Sequence, residues 1–137
     1  MDKRFWVCGL VMSIAALLLG GIVHGLLPAP ARVPSAAVLH EGLPWAVLAS
    51  LLLGYAMTWI YAQGFAERRS AASQGLRFGL AMALCTIVPA ALLRHAVQAL
   101  PAAATVWQVV LGTVAMLLLG LLVAWLQPRR KVLRELP

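Results

Sequence analysis

Apolar residues run along this chain in four blocks, Phe5–Leu27, Pro44–Gln63, Leu76–Val97 and Ala102–Leu126, parted by short polar stretches. Each block holds about 20 residues or more, the length a helix needs to cross a hydrocarbon layer of ~30 Å. The pattern predicts an all-α fold, a four-transmembrane-helix bundle forming a single membrane domain over 1–137. Its helices are expected over 5–27, 44–63, 74–97 and 102–127. Between them lie an outer loop 28–43 and an inner loop 64–73, with a basic tail over 128–137. The strongest polar interruption, AQGFAERRSAASQGLRFG from Ala62 to Gly79, divides the chain into two helical hairpins.

Small residues mark one face of each predicted helix. In the first, Gly9, Ser13, Ala16, Gly20 and His24 follow one another at intervals of four, three, four and four. Helical periodicity places them on one side. Gly21 and Gly25 add a GxxxG pair, which lets another helix approach closely. In the second helix Ser50, Gly54, Thr58 and Tyr61 form the small and polar face. The third carries Gly75, Gly79, Ala83, Thr86, Ala90 and Arg94, and the fourth Gln108, Gly112 and Ala115. Pro28, Pro30 and Pro34 break the chain after helix one, and Pro44 and Pro101 introduce helices two and four. Pro89 lies inside helix three and leaves the Cys85 carbonyl without a donor. A kink is expected there, with the Thr86 hydroxyl helping to satisfy that carbonyl. The first and third helices each carry a histidine near the same end, a weak sign of two parallel hairpin repeats.

Composition supports lipid as the solvent. Charged residues make up 11% of the chain, against roughly 25% in soluble domains, and the mean hydropathy is +0.91. The net charge of +7 would point to nucleic acid in a soluble protein, but here most of the basic residues gather on one side of the predicted membrane. Lys3, Arg4, Arg68, Arg69, Arg77, Arg129, Arg130, Lys131 and Arg134 share that side, leaving Arg32 and Arg94 on the other. Positive charge accumulates on the cytoplasmic side of membrane proteins, so both termini and the central loop are expected in the cytoplasm. The start, MDKRFWVCGLVMSIAALLLGG, resembles a signal peptide. Its long apolar run and the lack of a lipobox at Cys8 favour a retained first helix. Cys8 and Cys85 fall at different depths, so no disulfide is expected between them.

Ionisable side chains inside a bilayer are functional candidates by default. Here they are His24, Arg94 and His95, and no Asp or Glu lies within a span. That absence argues against an ion-coupled carrier. His24 and His95 each lie about 19 residues from their helix starts by the ~1.5 Å rise of a helix, which sets them at similar depth. Two such imidazoles on facing helices are candidate axial ligands of a haem b iron. The competing reading has each histidine at the interface, bonded to loop carbonyls or water. Arg94 is a candidate anion site, a partner for Glu41 of the outer loop, or a side chain reaching to the interface.

At HGLL (24–27), IYAQGFAERRSAASQGLRFGL (60–80) and LLLGLLVAWLQP (117–128) the chain resembles a group of short bacterial four-helix integral membrane proteins. The likeness runs along nearly the whole chain, with QGLRFG its most specific element. It implies the four-helix topology and brings no activity with it. Many of that group have an aromatic-rich, charged outer loop, where this chain is rich in Pro and Ala.

The sequence therefore predicts a non-catalytic protein of the bacterial inner membrane. It is expected to be an accessory or structural subunit that packs through Gly9, Ser13, Gly20, Gly21, Gly25, Gly75, Gly79 and Ala83. Its expected partners are the lipid bilayer and other membrane subunits or further copies of itself, without nucleic acid. The alternatives are a haem or other cofactor held by His24 and His95, and a small transporter or channel.

Overall fold

The computed structural model describes residues 3–28, 42–63, 70–98 and 100–127. Within them the chain forms four helices, α1 (Lys3–Leu26), α2 (Leu43–Gln63), α3 (Ala71–Gln98) and α4 (Ala102–Leu126), and no strand. All four are long and apolar enough to cross a membrane. Most of the outer loop with His40 and Glu41, the inner loop around 64–69 and the basic tail lie outside the described residues.

Local chemistry sets the helix ends. Helix α3 begins at Ala71, ahead of the start near Gln74 that its apolar pattern implies. The reason is Ser70, whose Oγ accepts from the Ser73 N–H at 3.3 Å while its carbonyl accepts from the Gln74 N–H at 3.1 Å. A serine before the first turn satisfies donors that have no partner within the helix. Pro101 performs the related task for α4. Its carbonyl accepts from the N–H groups of Ala104 and Thr105, and its own missing N–H costs nothing at that position. Helix α3 continues through Pro89. The Thr86 hydroxyl donates to the Met82 carbonyl at 2.6 Å, not to the carbonyl of Cys85. A threonine in a helix reaches the carbonyl one turn before it, so the sequence expectation for Thr86 is corrected on geometry.

Two antiparallel hairpins result. In the first, Ser13 on α1 sits against Gly54 on α2, where an added Cβ would come within 2.7 Å of the Ser13 Cα. Only a residue without a side chain allows the backbones so close. The Ser13 hydroxyl donates to Gly9 O at 2.7 Å and reaches Leu51 O at 3.4 Å. In the second hairpin Gly75 and Gly79 of α3 meet Gly120 of α4, and a Cβ on Gly120 would stand 2.8 Å from the Gly79 Cα. Helix α4 then packs on α1, and α2 touches α4 less extensively. So α1 and α4 join the two hairpins.

The main core lies towards the end of the bundle that holds the start of α1 and the end of α4, here called the terminus end. Met12, Met57, Thr58 and Val123 are fully buried there, beside Cys8, Tyr61, Ala83 and Leu119. At the opposite end, called the loop end, a smaller cluster joins Leu27 to Ala104, with Leu111 packed against it. Outward-facing Leu18, Ile22, Leu52 and Val97 are exposed, as suits side chains solvated by lipid rather than water.

Candidate functional site

Three helix stripes converge at the loop end. Gly20, Val23, His24 and Leu27 fall at i, i+3, i+4 and i+7 on α1, and therefore on one face. Ile87, Ala90 and Arg94 repeat that spacing on α3, and Gln108 and Gly112 lie one turn apart on α4. Between these stripes is an open cleft of about 200 Å³. Its polar groups are an imidazole, a guanidinium and a side-chain amide.

Residue size explains why space remains. At Gly112 a Cβ would lie 2.6 Å from Ile87 Cγ2, so α3 and α4 are closely packed there. At Gly20 a Cβ would meet nothing within 4 Å. The first glycine brings two helices together and the second leaves a hollow. Ala90, small and on the cleft wall, enlarges it. Val23, Leu27 and Ile87 give the remaining wall an apolar surface.

Among the described residues the cleft carries a cation and no carboxylate. Arg94 is half-buried on its lining. The chain's acidic residues, Asp2, Glu41, Glu67 and Glu135, all fall outside the described segments, so no described helix brings a carboxylate to Arg94. Gln108 Oε1 is buried and accepts no hydrogen bond among the described residues. A buried polar atom without a partner is costly, and more so where lipid replaces water. In the apolar interior the field of a guanidinium is also screened far less than in bulk solvent.

The structure brings His24 and Arg94 to one cleft and leaves His95 off its lining. His95 is exposed, and its Nδ1 lies 3.1 Å from Thr105 Oγ1 on α4. Of the predicted packing residues, Gly9, Ser13, Gly75, Gly79 and Ala83 are buried. Gly20, Gly21 and Gly25 are exposed, and a Cβ on any of them would meet nothing within 4 Å. By sequence Gln108 falls on the small face of helix four. Its signal was present in the sequence, because it is an amide well inside a span, whereas Gln63, Gln74 and Gln98 lie at or near helix ends.

A second polar group sits at the terminus end and is hydrogen-bonded. The Thr58 hydroxyl donates to Gly54 O at 2.8 Å and lies 3.9 Å from Cys8 Sγ. Gln127 Nε2 donates to Thr58 O at 3.0 Å, tying the end of α4 to α2. The Tyr61 hydroxyl meets Gln74 Oε1 at 3.4 Å, a contact between the two hairpins. The bonds from Gln127 and Tyr61 hold helices together.

Compared with known proteins, the chain matches no family model, no curated protein sequence and no solved structure.

Proposed function

We propose that this is a non-catalytic, multi-pass protein of the bacterial inner membrane, with both termini in the cytoplasm. It acts through helix association, as an accessory or structural subunit. The four apolar helices support the membrane setting. The basic residues gathered around the termini and the central loop support the orientation.

The observation that carries the association role is the contrast between glycines. Gly54, Gly75, Gly79 and Gly120 each admit a neighbouring helix to backbone contact within this chain. Gly21 has the same character on α1 but faces open space. Membrane helices associate largely through close backbone approach at small residues. The turn of α1 around Gly21 therefore suits a helix from another subunit or a second copy. The packed core of Met12, Met57, Ala83 and Met116 beneath the cleft supports this role over that of a passage.

Native mass spectrometry of gently solubilised full-length protein tests the proposal. The expected result is a stoichiometric partner or a homo-oligomer that is lost in Gly21→Leu. Helical content and thermal unfolding of the isolated chain should be unchanged, because the new side chain enters open space. A monomer at every detergent concentration, in the parent and the variant alike, would reject it.

A further inference from the structure

We propose that the loop-end cleft is a binding site for a glycerophosphate group, with the phosphate against Arg94 and a hydroxyl donating to Gln108. The inference is independent of the association role, since it rests on a different face of α1. Two observations carry it, and neither implies the other. One is an open cleft of about 200 Å³ with Arg94 on its lining. The other is Gln108 Oε1, buried on α4 and without a donor among the described residues.

The chemistry of the two groups narrows the ligand. A guanidinium offers a planar fork of donors that fits the oxygens of a phosphate or carboxylate. The Gln108 oxygen has the opposite need, because it only accepts and requires an O–H or N–H. A ligand satisfying both carries negative charge and a hydrogen-bond donor in one molecule. An ammonium headgroup supplies donors, but sets positive charge beside Arg94. A glycerophosphate supplies an anionic phosphate and neutral hydroxyls in one small fragment.

Depth and shape agree with this class. Arg94 lies one turn before the end of α3, and Gln108 is six residues into α4 from Ala102, or about 9 Å along the axis. The polar groups thus descend from the helix ends into the first third of the bundle. Val23, Leu27 and Ile87 offer the apolar surface that adjoins a lipid headgroup. At about 200 Å³ the cleft is smaller than the roughly 300–1,000 Å³ typical of drug-sized ligands, which matches a headgroup fragment rather than a whole metabolite. The same chemistry exists in an anionic glycerophospholipid and in free glycerol phosphate.

The test uses the full chain in detergent, equilibrated with equal amounts of phosphatidylglycerol, phosphatidic acid and phosphatidylcholine of identical acyl chains. Lipid retained on the protein is read by native mass spectrometry. A charge-assisted contact in a partly buried site should favour phosphatidylglycerol over phosphatidylcholine by about tenfold or more. Arg94→Gln should abolish that preference. Gly20→Val should abolish it as well, by filling the cleft where a Cβ meets nothing within 4 Å. Gln108→Leu should keep the preference for anionic lipid over phosphatidylcholine but narrow the margin of phosphatidylglycerol, whose headgroup hydroxyl loses its acceptor. Arg77→Gln, an exposed position towards the terminus end, should change nothing.

A separate arm offers glycerol phosphate alone. Binding there that is lost in Arg94→Gln and Gly20→Val, without any lipid preference, upholds the site and assigns it a soluble ligand. A preference for anionic lipid that survives in both variants would place the lipid on the basic segments and overturn the proposal. Retention of neither ligand by the parent protein would overturn it too.

Discussion

The two ends of this bundle use similar residues to opposite effect. At the terminus end Gly75 and Gly79 face Gly120, and the backbones close until a Cβ has no room. The polar side chains there are paired across helices, Gln127 with Thr58 and Tyr61 with Gln74, and the Tyr61 and Phe78 rings meet edge to face at 5.3 Å. At the loop end, among the described residues, Gly20 faces no neighbour within 4 Å, and Gln108 Oε1 is buried without a partner. A glycine therefore has no fixed meaning in a membrane helix. Opposite another small residue it makes an interface, and opposite a gap it leaves room for something else.

The most severe test of that contrast is Gly79→Leu. Its Cβ would stand 2.8 Å from Leu117 Cα, and backbone cannot rotate away as a side chain can. Forcing α3 from α4 should cost about 3 kcal/mol, at the upper end for overpacked cores, read as a lower unfolding midpoint in detergent. A midpoint equal to that of the parent would mean that the glycine seam does not hold the second hairpin together.

Two amides give the next prediction, with effects of about 1 kcal/mol and opposite sign. Gln127→Leu removes the donor to Thr58 O and should destabilise the chain by about that amount, in keeping with the modest value of hydrogen bonds between membrane helices. Gln108→Leu removes an acceptor that has no donor, so the ligand-free protein should become more stable by a similar margin. Matching losses from both variants would show that the two ends are satisfied alike, and the contrast between them would fall.

How much of this was legible in the sequence depends on range. The helices followed from the length of the apolar blocks, because one span needs little more than 20 suitable residues in a row. Helix α3 begins at Ala71, ahead of its apolar pattern, because Ser70 acts through hydrogen bonds to its own backbone neighbours, which such a pattern does not register. Helical spacing puts Gly9, Ser13 and Gly20 on one face of α1 and Gly75 and Gly79 on one face of α3, and of these all but Gly20 are buried. What faces them was not legible. Whether Gly20 and Gly79 open a cleft or close a seam depends on a second helix far away in the chain. His24 and His95 share a position along their helices, yet only His24 lines the cleft while His95 meets Thr105. Rotation about the helix axis, which a turn of 100° per residue makes sensitive to packing, separated residues that depth alone would pair.

The smallest predicted effect isolates this dependence on the neighbour. Gly21→Ala and Gly54→Ala add the same methyl group to the same type of residue in two neighbouring helices. In water a glycine inside a helix costs roughly 0.5–1 kcal/mol relative to alanine. In a bilayer the dispersed helix keeps its backbone bonds, because lipid offers no substitutes, so most of that gain disappears. Gly21→Ala should therefore shift the stability of the isolated chain by no more than about 0.5 kcal/mol. Gly54→Ala presses the same methyl onto the Ser13 Cα at 2.7 Å and onto its hydroxyl, and should lose about 1–3 kcal/mol as the first hairpin is pushed apart. Unfolding both variants in one detergent cancels intrinsic propensity, and the remaining difference measures how close the opposing helix stands. Equal shifts would mean that Ser13 yields without cost, and that α1 and α2 are held by the rings of Trp6 and Tyr55, 5.6 Å apart, instead of by the small-residue contact.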